Sequence, residues 1–126
     1  MNEALFQNLT AACNGGDPRE DRARAAAVVI AGARYSWSAI YEIDDDRVTV
    51  LGQSGTASKP FSISLESLAS NAFLLAEGGA IVPLFGAESG IPIGALAVER
   101  ARSEPIDDRE RGVLERCAAI VIALFE

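Results

Sequence analysis

The chain has 126 residues, with 11 basic and 18 acidic side chains and a formal net charge of −7. That acidity argues against nucleic-acid binding, which depends on a basic surface, and equally against an anionic membrane surface. With 49% hydrophobic and 23% charged residues, the composition is that of a single domain over residues 1–126, large enough to bury one core.

Residues 2–13 place Leu5, Phe6, Leu9 and Ala12 or Cys13 on one face, which predicts a short helix ended by Asn14-Gly15-Gly16. Asp17-Pro18-Arg19-Glu20 has the form of a helix start, with Asp17 as cap, Pro18 at the first helical position and Glu20 three residues after the cap. The alanine-rich helix that follows is predicted to run to about Ala31 and to end at Gly32. YSWSAIYEI, residues 35–43, reads as a strand. Strict alternation puts Tyr35, Trp37, Ala39, Tyr41 and Ile43 on one face and Ser36, Ser38, Ile40 and Glu42 on the other. Asp44-Asp45-Asp46 is a solvated turn, since the D-x-[DN]-x-[DN]-G spacing of a calcium loop is missing. Residues 47–51 form the return strand.

Residues 52–60, GQSGTASKP, read as a polar loop without the G-x-x-x-x-G-K-[ST] order of a phosphate loop. A brief strand is predicted over residues 61–65 and a short helix over 65–71, capped by Ser64. Residues 80–100, AIVPLFGAESGIPIGALAVER, are two apolar runs joined by a glycine-bounded connection, a long β-hairpin around which the rest is arranged. Neither run alternates, so both strands are expected to be covered on both faces. Gly94 leaves a gap in the second run, which predicts a helix or a bound molecule close to the sheet there. Asp107-Asp108-Arg109-Glu110 is a second D-x-x-E helix start. The last helix is apolar most of the way round over residues 120–125, so it must bury two sides. One side packs on the sheet, and the other, with Ile120, Ile122 and Phe125, is expected to be a homodimer surface.

Histidine is absent, which removes the commonest general base and the usual zinc ligand together. Cys13 and Cys117 form no C-x-x-C pair and cannot make a zinc site without histidine, so no metal or cofactor is expected. The N-terminal MNEALFQNLT lacks a basic segment and no apolar run is long enough to span a bilayer, so a cytoplasmic location with reduced thiols is expected.

The order helix, helix, strand, strand, variable segment, hairpin, helix resembles the GAF domain family. The residues that carry the resemblance are Val82-Pro83-Leu84, Ile93-Gly94-Ala95-Leu96-Ala97-Val98 and the Pro105-Ile-Asp-Asp108 helix entry. It implies an α+β, profilin-like fold with a central antiparallel sheet of about five or six strands. The terminal helices would cover one face, and a small-molecule site or a lid the other. The first strand would lie beside the second hairpin strand at the middle of the sheet.

Within the family, the chain looks most like the free-standing type that reduces free methionine-(R)-sulfoxide. That resemblance makes Trp37 and Tyr41, at W-x-x-x-Y spacing, candidate ligand-facing aromatics and Glu99 a candidate partner for a ligand amine; Phe61 is a further ligand-side candidate. By residue type alone, Trp37 and Tyr41 fit a packed core better than a ligand site, and the resemblance brings the two readings level; Glu99 fits a solvated strand end. The family's other acids are not matched: Ala97 and Gly79 stand in two of those places. Its redox cysteines are expected between the second strand and the hairpin, and residues 52–80 contain none. Reduction by that route needs an attacking and a resolving thiol. The expectation is therefore a non-catalytic, homodimeric binding or regulatory module for a small amine-bearing or nucleotide-like ligand. The alternatives are a redox enzyme using Cys13 or Cys117, and a roadblock- or profilin-like interaction scaffold.

Overall fold

The computed structural model describes residues 3–45, 47–55, 74–76, 79–85, 92–100 and 106–125. The expected strand at 61–65, the helix at 65–71, the hairpin connection at 86–90 and the candidate Phe61 lie outside the described residues. Among the described residues the elements are α1 (Glu3–Cys13), α2 (Arg19–Arg34), β1 (Tyr35–Asp44), β2 (Arg47–Gly55), β3 (Leu74–Ala76), β4 (Gly79–Phe85), β5 (Pro92–Arg100) and α3 (Asp108–Val121), followed by a 3-10 turn, Ile122–Phe125. The five strands form one antiparallel sheet in the order β2-β1-β5-β4-β3. As expected, β1 lies beside β5, the second strand of the central hairpin.

The three helices and the 3-10 turn share one core with one face of the sheet. Leu9 and Cys13 of α1, Ala23, Ala26 and Ile30 of α2, and Leu114, Cys117 and Val121 of α3 bury against Ile40, Val82, Leu84, Leu96 and Val98. The small side chains of α2 bring its backbone close to the sheet. Ser38, fully buried, donates from Oγ to the Ala27 carbonyl at 2.6 Å, so a polar group under the helix is satisfied by that helix.

Several local expectations are corrected. Asp17 does not cap α2: Pro18 is extended (φ −54°, ψ 152°) and the helix begins after it, with no side-chain cap. The Asp17 carbonyl instead accepts from Arg22 Nε, whose neighbouring Nη1 reaches the Cys13 carbonyl at 2.7 Å and ties the end of α1 to α2. Gly32 does not end α2. The helix continues to Arg34 and stops only because Tyr35 turns extended, its N–H still bonded to the Ala31 carbonyl. Residues 52–55 are not loop but the continuation of β2, paired with Trp37–Ile40. At Gly52 a Cβ would stand 2.5 Å from the backbone of Ala23 and Arg24, so glycine marks the point where α2 lies directly on the strand. Residues 74–76, assigned no element from sequence, pair with β4.

The largest correction concerns Tyr35. The register shifts between Tyr35 and Trp37, which pair with Arg100 and Glu99. The bulge at Ser36 places Tyr35 on the helix side and Trp37 on the other, against strict alternation. Gly55, opposite Trp37 at φ +83°, permits it, since a Cβ there would meet the Ser36 carbonyl oxygen at 2.0 Å.

At the last helix, Asp107 caps as expected, its Oδ1 accepting from the Glu110 N–H at 2.8 Å. The reciprocal half of the capping box is not made. The Glu110 side chain turns inward, accepts from the Tyr35 hydroxyl at 2.7 Å and pairs with Arg100. The helical run then tightens into the 3-10 turn, which buries Leu124 and lays Phe125 on Gly94, where its ring carbon would be 2.8 Å from a Cβ. The bulky neighbour expected over Gly94 is thus the chain's own C-terminal phenylalanine.

Candidate functional site

The other face of the sheet carries a second, separate cluster of Trp37, Ala39, Tyr41, Ile81, Ala95 and Ala97, edged by Ile43 and Val48. Among the described residues it is built from strands alone. The pairing arranges this face in rows across the strands. Gly79, Glu99, Trp37 and Gly55 form one row, and Ile81, Ala97, Ala39 and Gln53 the next. Pro83, Ala95, Tyr41 and Val50 form the third. Trp37 and Tyr41 therefore stand about 13 Å apart along β1, from the rise of roughly 3.3 Å per residue. Between and beside them the floor is alanine: Ala39, Ala95 and Ala97.

This grid brings three of the four predicted ligand-side residues together. Trp37, 3% exposed, and Tyr41, 9% exposed, border the alanine floor. Glu99 is the direct cross-strand partner of Trp37 and shares its face. It is 7% exposed, so the reading of Glu99 as a solvated strand-end acid is overturned. The register encloses its base between β1 and β4 rather than leaving it at a free end. Burial pushes the Tyr41 phenol above its ordinary range, so it remains a neutral hydroxyl at physiological pH.

One residue of this face was missed. Gln53, assigned to a loop from sequence, sits on β2 in the row of Ala39, and its Oε1 accepts from Trp37 Nε1 at 3.3 Å. The diagonal across an antiparallel pair is within reach of long side chains. The signal that could have found it is the alternation Val48, Val50, Gln53 on β2, interrupted by a one-residue bulge between Val50 and Gly52 that pattern reading does not show.

Both thiols lie on the far side of the sheet. Cys13 and Cys117 are free and buried, at 0% and 1% exposure, in the core beneath the helices. Burial, partly offset by Arg22, pushes the Cys13 thiol up to about 11. Burial, and then the charge of Cys13, pushes Cys117 up to about 12. Neither is a thiolate near neutral pH, and neither belongs to the cluster around Trp37. Of the predicted dimer residues, Ile120, Ile122 and Phe125 are half-buried and packed against the helix-side core.

No family model and no curated protein matches the chain. Solved structures do. Over 98% of this chain and 87% of its own length, free methionine-R-sulfoxide reductase from Neisseria meningitidis, solved with its substrate, superposes with a TM-score of 0.77 at 19% identity. The GAF domain of a phosphoenolpyruvate-protein phosphotransferase from Acinetobacter gives 0.76 at 13% identity, over 97% of this chain and 91% of that one. The fold is that of GAF domains. A type II free methionine-R-sulfoxide reductase from Thermoplasma acidophilum has the same fold, with a TM-score of 0.68 at 14% identity over 85% of this chain and 92% of its own. GAF-fold neighbours thus include an enzyme and domains named without an activity. Among the described residues of this GAF-like domain, no group of histidine, cysteine, aspartate and glutamate could hold a metal ion, and no helix is long and apolar enough to cross a membrane.

Proposed function

We propose that this GAF-like chain is a non-catalytic binding module that takes a small amine-bearing ligand on the sheet face of Trp37, Tyr41 and Glu99. The observation that carries the reading is the row-by-row arrangement of that face. A buried carboxylate stands beside an aromatic wall and an alanine floor, with both thiols on the opposite side of the sheet. Among the described residues the face offers apolar walls, one carboxylate and few other polar groups, the make-up of a small-molecule site.

Free methionine-R-sulfoxide, the substrate class of the reductase neighbours, supplies a natural probe. The reductase reading itself is disfavoured because sulfoxide reduction requires thiolates at the substrate, and these thiols are protonated in the other core. Trp37 is the only tryptophan, so its emission reports on the site alone. Free amino acids, including L-methionine-(R)-sulfoxide, and their N-acetyl forms are titrated against Trp37 emission and melting temperature. Binding of a free amine, loss on N-acetylation and at least tenfold weakening in Glu99→Gln are expected. No response to any member refutes the ligand. Thioredoxin-coupled turnover that Cys13→Ser or Cys117→Ser abolishes refutes the non-catalytic assignment.

The module is further proposed to be a homodimer through its terminal helices, with Ile120, Ile122 and Phe125 at the contact. Support comes from the apolar circumference of residues 120–125 and from Val28, 54% exposed on α2. Light scattering at high concentration is expected to give twice the chain mass of 13.3 kDa, and a monomer there refutes it.

A further inference from the structure

Gln53 has a chemistry that follows from its partner. The indole N–H of Trp37 can only donate, so the Gln53 amide must present its carbonyl oxygen to it, as the 3.3 Å contact shows. The amide nitrogen, with two hydrogens, then faces away from the indole. Gln53 is exposed, and it shares a row with Ala39 and Ala97, whose methyl side chains leave its amide as the polar group of that row. Among the described residues the other polar groups of the face are the Tyr41 hydroxyl and the Glu99 carboxylate, in the rows on either side.

We infer that Gln53 is a positioning and specificity residue for this face: its Oε1 holds the Trp37 indole at the border of the alanine floor, and its –NH2 donates to an acceptor oxygen of the ligand. The second half rests on the ligand reading above; the first does not. A guest that places its amine at Glu99 and an oxygen acceptor within reach of the exposed Gln53 amide satisfies both groups. A guest with an amine and no acceptor leaves the amide hydrogens to water.

Two variants separate the two roles. Gln53→Glu keeps an acceptor for the indole and replaces the amide donors with a carboxylate. Gln53→Leu removes both. With one tryptophan, the protein gives a single indole N–H cross-peak in a nitrogen–proton correlation spectrum. In the ligand-free protein that peak is expected to stay in place in Gln53→Glu and to move upfield, with faster hydrogen exchange, in Gln53→Leu. A Gln53→Leu peak unchanged in position and exchange rate overturns the positioning role. L-methionine-(R)-sulfoxide, which carries an amine and acceptor oxygens, is the binding probe. It is expected to bind both variants at least tenfold more weakly than the parent, and parent-like affinity in Gln53→Glu overturns the donor role. A parent that fails to bind this probe while binding another free amine also overturns the donor role for this ligand. A parent that binds no free amine overturns the ligand reading together with the donor role, and the cross-peak still decides the positioning role.

Discussion

Replacing Gly52 with alanine tests the placement of α2 directly. The added Cβ would stand 2.5 Å from the carbonyl carbon of Ala23 and the nitrogen of Arg24, and 2.8 Å from the Ala23 oxygen. Ordinary contact begins near 3.4 Å, so helix and strand must separate by close to an ångström. All three atoms are backbone within a helix, so no side-chain rotation relieves them. Moving the helix loosens Ala23, Ala26, Ala27 and Ile30, each at most 1% exposed, and lengthens the 2.6 Å hydrogen bond from Ser38 to Ala27. Overpacking costs about 1–3 kcal/mol, and rigid neighbours put this site at the upper end, about 3 kcal/mol. For a domain of this size that lowers Tm by roughly 10 °C. Urea unfolding followed by Trp37 emission and by far-ultraviolet circular dichroism measures it, as a lower midpoint with an unchanged slope. Gly112→Ala is the control: it lies in α3 with nothing within 4 Å of the added carbon, and a gain of about 0.5–1 kcal/mol is expected there. Gly52→Ala within about 0.5 kcal/mol of the parent, an effect typical of surface substitutions, would refute the contact between α2 and β2.

Glu110→Ala leaves Arg100, 14% exposed, without its buried carboxylate partner, and a loss of about 3 kcal/mol is expected in the same denaturation assay. Tyr35→Phe removes the hydroxyl that donates the 2.7 Å bond to that carboxylate and is expected to cost about 1.5–2 kcal/mol. The buried thiols make stability alkali-sensitive. Their pKa values in the folded chain are raised from 9.0 to about 11 and about 12, so the stabilisation is complete below pH 9 and is lost as pH rises through those values. The initial slope is about 1.4 kcal/mol per pH unit for each thiol. Urea midpoints from pH 8 to 11 should fall less steeply in a Cys13→Ala, Cys117→Ala chain. The same burial is expected to leave both cysteines unlabelled by a thiol reagent at pH 8 in the native state and fully labelled in urea. Gly94→Ala, whose Cβ would meet the Tyr41 carbonyl oxygen at 2.5 Å and Phe125 at 2.8 Å, is expected to destabilise by about 2 kcal/mol.

Local signals were enough for the main elements: the apolar hairpin at 80–100, the strand from Tyr35 and the Asp107 cap each carry their own pattern or end signal. The strand order and the covered helix face came from the resemblance to the GAF family, and the sheet has them. Trp37, Tyr41 and Glu99 were legible as candidates only through the family resemblance, since by residue type the two aromatics fit a packed core and Glu99 a solvated strand end. What failed was decided between segments. The side taken by Tyr35 depends on a bulge that Gly55, 20 residues away, makes room for. The helix start was misplaced by one residue because Pro18 is compatible with both sides of the boundary. Gln53 and the inward turn of Glu110 depend on partners 16 and 75 residues distant.

By itself, then, the amino-acid order determined the long helices and strands and that no histidine or paired cysteine motif is available for chemistry. Only the tertiary structure decided which side of the sheet each polar group occupies: Glu99 with Trp37 on one, both thiols and the Arg100–Glu110 pair on the other. The physical reason is that a strand has a period of two, so a single inserted residue exchanges its faces, and whether that residue fits is settled by the neighbouring strand.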